Sequence, residues 1–552
     1  MKKVVALILT LVMTVSLVMA MGGCKKKVAD DEQTLEIFAT NAGYGIKWIE
    51  ALIPIFEEQH PGVNVVFNYN VPIENTLDKV KAGPSVNTAD LLFTIEKWPS
   101  LIMQGEKGVA GYDYALEDMT DFLNEKDENG VALRDKFLPY YLEAGAVELE
   151  TSEGEYEYRD FTLPWATSYT GIVYNKTLFE KNAWELPRTT DELLALTDEI
   201  KAAGITPLVN ETSTGYIEYM SNCLFAQYIG VDEYYNYFNP ITEEDYYNYS
   251  LNGSSKGRLY AMYVMDDLLN PSNGRLSKTA AEDDYGRAQG RLISGEGAMA
   301  IMGDWFDTEM SVTIEQANEK GKNYQSGMMS IPVISALSDQ LSYWDVIMKG
   351  SESYQFARSG SAEGKNLPVC DELLAKLVDY VDAGMTGELP SVDFNGQKVT
   401  ATQEDAEIVA RARNTYYSLG AGHSAVIPSY AVAKDLAKDF LRLLYSDTGA
   451  EIFLENTSGS SLPIKYDVTS WDGYADTTDF QKDVYRLTST GYAAMIEELF
   501  TWRISGLPTA SKKGFQKYAK TDSNYVSPDT YFQKDSLTKE QFIEIMKNAG
   551  LL

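Results

Sequence analysis

Between residues 34 and 94 three apolar runs alternate with two helix-like stretches, and this order restricts the fold more than any single motif does. TLEIFATNAGYG reads as a buried strand that runs into a glycine-bearing loop. IKWIEALIPIFEEQHPG places Ile46, Ile49, Leu52, Ile53 and Phe56 at helical spacing and stops at His60-Pro61-Gly62. Pro54 predicts a kink in that helix. VNVVFNYN follows as a strand, a second helix-like stretch precedes Gly83-Pro84, and Asp90-Leu91-Leu92-Phe93-Thr94 reads as a parallel core strand. Alternation of this kind predicts an α/β fold.

At 552 residues the chain is too long for one hydrophobic core. A second unit is expected to begin near Thr162, where LPWATSYTGIVYN is strand-rich. Arg188-Thr189-Thr190-Asp191 then caps the helix DELLALTDEIKAAG. Residues 232–249 are rich in tyrosine and acid and read as a surface excursion. Residues 337–421 form a polar segment around the helix-like CDELLAKLVDYVDAG, an elaboration on one domain. Residues 512–531 are polar and carry no structural expectation.

The first residues place the chain outside the cytoplasm. Lys2 and Lys3, an apolar run from Val4 to Ala20 and Gly22-Gly23-Cys24 make an export signal, and no later stretch is long and apolar enough to cross a bilayer. The cysteine directly after the glycine pair resembles a bacterial lipoprotein signal, with Met21 where that pattern usually has leucine. Residues 1–23 are therefore expected to be removed, Cys24 to carry lipid, and residues 24–33 to form a tether. An uncleaved transmembrane anchor is the alternative.

Charge and composition then exclude several classes of function. Losing Lys2 and Lys3 takes the net charge from −34 to −36, which repels nucleic acid and anionic headgroups. A neutral ligand fits better. Beyond Cys24 only Cys223 and Cys370 remain, too few for a disulfide framework, and His60 and His423 lie in no metal-ligand pattern, so neither metal nor cofactor is expected. Gly253-Ser254-Ser255-Lys256-Gly257 spells a nucleophile elbow but has no apolar strand before it. Residues 125–136 imitate a calcium loop, yet Lys136 stands where a bidentate glutamate is needed. The chain is rich in rings, with 37 tyrosines and eight tryptophans, and such rings offer flat faces to sugars as readily as to a core.

The most specific stretch is GEGAMAIMGDWF, residues 295–306: a helix-ending glycine, an apolar strand, then a tryptophan. It resembles the extracellular solute-binding proteins of ABC importers, in particular the group that takes sugars and oligosaccharides. ATNAGYG, ADLLFTIEKW, LPWATSYTGIVYNKTLFEKN and AKDFLRLLYSDTGAEIFLENTSGSSLP match further motifs of that group in the same order. Two departures stand out: Thr94 where some sugar binders have tryptophan, and Ser168 where the group has a cleft acid.

The resemblance implies a two-lobed, periplasmic-binding-protein-like α/β fold of type II, with a ligand cleft between lobes joined by hinge strands. The N-terminal lobe would comprise 34–161 plus 333–455 and the C-terminal lobe 162–332 plus 456–552, with crossings near Thr162, near Pro332 and around 456–462. It implies a monomeric, non-enzymatic receptor anchored by lipid at the outer face of the cytoplasmic membrane, which gives its sugar to permease subunits. Strand-end loops supply the expected contacts: Asn41, Tyr44, Glu96, Trp98, Trp165, Tyr169, Asp304 and Trp305, with Tyr216 beyond the strand ITPLVN. A secreted glycan-active enzyme and a glycan-adhering or sensing lipoprotein are the alternatives.

Overall fold

The computed structural model describes residues 33–69, 76–95, 112, 114–152, 155–212, 215–238, 254–349, 365–489 and 491–494. Strands β1 (Gln33–Ala39), β2 (Val63–Asn68) and β3 (Leu91–Thr94) come first, then the hairpin β4 (Ala146–Ser152) and β5 (Glu155–Asp160). After β6 (Leu163–Pro164) and β7 (Tyr169–Asn175) come β8 (Thr206–Leu208), β9 (Gly297–Gly303) and β10 (Ser326–Met329). A second hairpin, β11 (Ser391–Phe394) and β12 (Gln397–Thr400), precedes β13 (Thr415–Ser418), β14 (Ser424–Val426) and β15 (Tyr492–Ala494).

Apart from the two hairpins, each a two-stranded sheet of its own, these strands build two larger sheets, one per lobe. The first has the order β2-β1-β3-β14-β6, with β1 parallel to both β2 and β3 and β14 antiparallel to β3 and β6. Its first strand alternates in burial, with Leu35, Ile37 and Ala39 turned inward, while every residue of β3 is buried. The helix Lys47–Gln59 buries Trp48, Ile49, Leu52 and Phe56 in the first core, so the expected stripe is present with Trp48 added to it. It runs unbroken through Pro54, which faces solvent, so the missing N–H leaves no buried carbonyl stranded.

The second sheet has the order β15-β13-β7-β9-β8, with β10 also on β7. β7 and β9 are buried along their whole length, which is why both read as continuous apolar runs instead of alternating ones. The helix Tyr285–Ser294 ends as its sequence predicts, with Gly295 at φ 82° as the left-handed cap that turns the chain into β9. Thr189 caps the helix Thr190–Ala202 through the Glu192 N–H.

The lobe division differs from expectation at one crossing. After β10 the chain stays with the second lobe, because Gln227 donates to the Ile331 carbonyl and accepts from the Ile334 N–H, while Val333 exchanges backbone bonds with Arg188 and Thr190. Val333, Ile334, Leu373, Val409 and Tyr417 all belong to the second core. Residues 333–349 and 365–418 therefore belong to this lobe, and the chain crosses at 419–423, between β13 and β14, instead of near Pro332. The first crossing lies at 165–168, between β6 and β7, close to the expected Thr162. The third begins at Thr457, after the helices Lys434–Leu444 and Asp447–Asn456 of the first lobe, and ends at the helix Asp479–Ser489, which packs on β10.

Two rejected motifs have ordinary structural roles. Asp127 accepts the Asn129 and Val131 N–H groups, and Lys136 lies 3.6 Å from its other oxygen, so the calcium-like loop is a turn closed by its own lysine. Ser255 lies in the first turn of the helix Ser254–Leu269.

Candidate functional site

Asp304 follows β9 at the junction of the two lobes and has no exposed surface. Its Oδ1 accepts the Tyr44 hydroxyl at 2.6 Å. Its Oδ2 accepts Ser460 Oγ at 3.0 Å, the Tyr169 N–H at 3.2 Å and Thr167 Oγ1 at 3.3 Å. Three of these four donors converge on Oδ2, and Oδ1 takes the tyrosine. The four come from the first lobe's loop after β1, from the first crossing and the first residue of β7, and from the third crossing.

The second crossing joins the same network. Tyr44 Oη lies 3.0 Å from Ser168 Oγ, which lies 2.9 Å from His423 Nδ1. Tyr44 has one proton and gives it to the carboxylate, so the serine proton completes the 3.0 Å contact. Ser168 sits at φ 46°, a left-handed conformation uncommon outside glycine, and this geometry brings its hydroxyl between Tyr44 and His423.

Burial dominates the electrostatics. It pushes the Asp304 carboxyl up to about 6, against the hydrogen bonds from Tyr44, Ser460, Tyr169 and Thr167 that lower it. It pushes His423 down to about 4, partly opposed by the Leu419 carbonyl, and drives Tyr44 well above the ordinary phenol range. The sign of the Asp304 effect follows from linkage. A native carboxyl that titrates near 6, against an ordinary 3.8, keeps its proton while the unfolded chain has lost it. Its contribution to stability therefore falls as pH rises from about 4 to about 6. Asp304→Asn lacks this term, and His423 is common to both proteins. Denaturant titrations at a series of pH values should show wild type losing roughly 2–3 kcal/mol relative to the variant across that window. Parallel curves would show that Asp304 has an ordinary pKa.

The rings form a continuous wall beside this network. Trp165 stacks on Trp48 at 5.4 Å and donates Nε1–H to the Thr94 carbonyl. Trp305 has Tyr44 at 6.2 Å, Tyr216 at 6.3 Å and Tyr219 at 6.4 Å, and Tyr219 stacks on Tyr417 at 5.6 Å. The indole lies over Gly303, and a side chain at Gly43, from the first lobe, would meet Trp305 Cβ at 3.2 Å. The two lobes thus touch at the tryptophan.

Over half the chain, residues 42–352, matches the family model of the bacterial extracellular solute-binding proteins. The chain belongs to that family. A multiple sugar-binding protein of Streptococcus mutans serotype c is 26% identical over 200 residues, which are 36% of this chain and 41% of that relative. A protein of Brucella abortus named as a binding protein is 24% identical over 432 residues, covering 72% of this chain and 92% of its own. Among solved structures, a chitin oligosaccharide binding protein superposes with a TM-score of 0.51 at 15% identity, over 94% of this chain and 99% of that one. At such identity the superposition establishes the two-lobed fold.

Within this solute-binding fold the expected contacts fall into three groups. Asn41 is exposed beside β1, Tyr216 is half-buried and Trp305 keeps 7% of its surface. Tyr44, Trp165, Tyr169 and Asp304 are buried and engaged within the protein, with the Tyr169 hydroxyl alone lacking a partner among the described residues. Glu96, Trp98 and Cys24 lie outside the described residues. Thr167, His423, Ser460, Tyr219 and Tyr417 were not expected at the site. His423 carried a signal, as one of two histidines and placed in the apolar stretch AGHSAVIP, but only the topology shows which crossing it occupies.

Proposed function

We propose that this protein captures a sugar or oligosaccharide between its lobes and delivers it to the permease of an ABC importer. The observation that carries this reading is the wall of Trp305, Tyr216, Tyr219 and Tyr417 where the lobes meet, since ring faces pair with the C–H faces of pyranoses. The names of the Streptococcus mutans relative and of the chitin oligosaccharide binding protein support the same class of ligand. Trp305 and Tyr216 supply the ring faces and Asn41 a polar contact. The hydrogen-bonded Tyr44, Trp165, Tyr169 and Asp304 form the floor. A ligand touching both lobes then shifts the protein toward the closed form that the permease reads. Asp304 is fully buried and accepts four hydrogen bonds from the protein itself, which argues against a role as a glycosidic acid.

Thermal melts over a panel of neutral mono- and oligosaccharides should show one class raising Tm by a few degrees, equivalent to about 2.7 kcal/mol at a hundredfold excess over Kd. The sugar should be recovered unchanged. No shift with any sugar would overturn the ligand class, and hydrolysis products would replace the receptor by an enzyme.

Anchoring through a lipid on Cys24 belongs to the same proposal and is supported by the apolar run before Gly22-Gly23-Cys24. Cys24→Ser should move the protein from the membrane fraction to the medium. Retention in the membrane with an intact N-terminus would favour the transmembrane alternative.

A further inference from the structure

The network around Asp304 does more than floor a site. All three interlobe crossings converge on it: Thr167 and Ser168 from the first, His423 from the second through Ser168, and Ser460 from the third. Tyr44 reaches it from the first lobe and Asp304 from the second, so their 2.6 Å bond spans the junction. Both side chains are buried, at 2% and 0% exposure, and the carboxylate already accepts four bonds from the protein, so a sugar hydroxyl has no open approach to it. Opening the lobes at this point would pull the tyrosine off the carboxylate and leave a charged group short of a donor.

We infer that Tyr44 and Asp304 form a ligand-independent clasp that holds the lobes closed, acting as positioning residues that set the open and closed populations instead of contacting the sugar. This rests on the reading of the interlobe cleft as the binding site. A clasp has a distinct signature in affinity. When only the closed form binds, the apparent Kd scales inversely with the closed fraction, so loosening the clasp weakens every ligand by one common factor. A direct contact behaves otherwise, because its loss matters only to ligands carrying the contacted hydroxyl.

Tyr44→Phe removes the hydroxyl and keeps the ring beside Trp165, Trp305 and His423. Spin labels at Val66 in the first lobe and Val312 in the second report lobe separation: both positions are exposed, while Cys223 and Cys370 are fully buried and escape labelling in a Cys24→Ser background. In ligand-free protein, electron–electron distance measurements should show Tyr44→Phe moving population from the short to the long distance. Affinities for a set of sugars differing in single hydroxyls should all fall by a similar factor, roughly tenfold for a hydrogen bond to a carboxylate. Asp304→Asn keeps the shape of the side chain and serves as the second variant should Tyr44→Phe fold poorly. An unchanged ligand-free distance distribution in a folded variant overturns the clasp. Affinity losses confined to sugars bearing one particular hydroxyl overturn it too, and make Tyr44 a ligand contact. A shifted distance distribution in a protein that binds no sugar would uphold the clasp while removing the proposed ligand class.

Discussion

Trp305→Ala is expected to destabilise the ligand-free protein by about 3–5 kcal/mol and to weaken sugar binding by about tenfold to a hundredfold. The stability term follows from burial. Only 7% of the residue is exposed, and the ring is packed on Gly303 and flanked by Tyr44, Tyr216 and Tyr219. Deleting it opens a cavity where the lobes meet, and Tyr44, held by its bond to Asp304, cannot collapse into it. The affinity term has a different origin, the loss of a ring face worth roughly 1–3 kcal/mol by analogy with buried aromatic contacts. Denaturation of the empty protein reads the first and calorimetric titration the second. A large stability loss with unchanged affinity would make Trp305 a packing residue only.

Sequence patterning made the α/β alternation, the helix Lys47–Gln59 and the strand from Gly297 to Gly303 legible because each follows from local rules: helical spacing, a glycine cap and an unbroken apolar run. Connectivity between lobes was less legible. Residues after β10 carry Ile331, Val333 and Ile334, which read equally well as a strand leaving the lobe or as a segment packed beside β10. The decision is made by Gln227, over a hundred positions away, whose amide bonds that segment on both sides. The site divided along the same line. Residues at strand ends, such as Asp304 and Trp305, could be named from the motif, whereas Ser460 and His423 reach the site only through crossings that no periodicity reveals. Ser168, which stands out in sequence as the absence of an acid, acts in the structure as the link between Tyr44 and His423.

The last expectation concerns how the indole is held. Gly303→Ala should destabilise the protein by about 1–3 kcal/mol in the wild-type background and by close to nothing when Trp305 is alanine. The backbone is not the obstacle, since Gly303 ends β9 with φ outside the left-handed region, where alanine is at ease. The obstacle is the ring: a Cβ at 303 would overlap Cζ3, Cη2 and Cε3 of Trp305. Such overlap forces the indole to swing away from the strand, and its neighbours Tyr216 and Tyr219 on one side and Gly43 on the other leave it little room. Removing the ring removes the clash, so the two substitutions should be strongly non-additive, with the double variant no less stable than Trp305→Ala alone. Urea midpoints for the four proteins, compared at equal m, complete the cycle. Equal costs for Gly303→Ala in both backgrounds would mean that the indole does not rest on this glycine, and that the aromatic wall is built differently at its base.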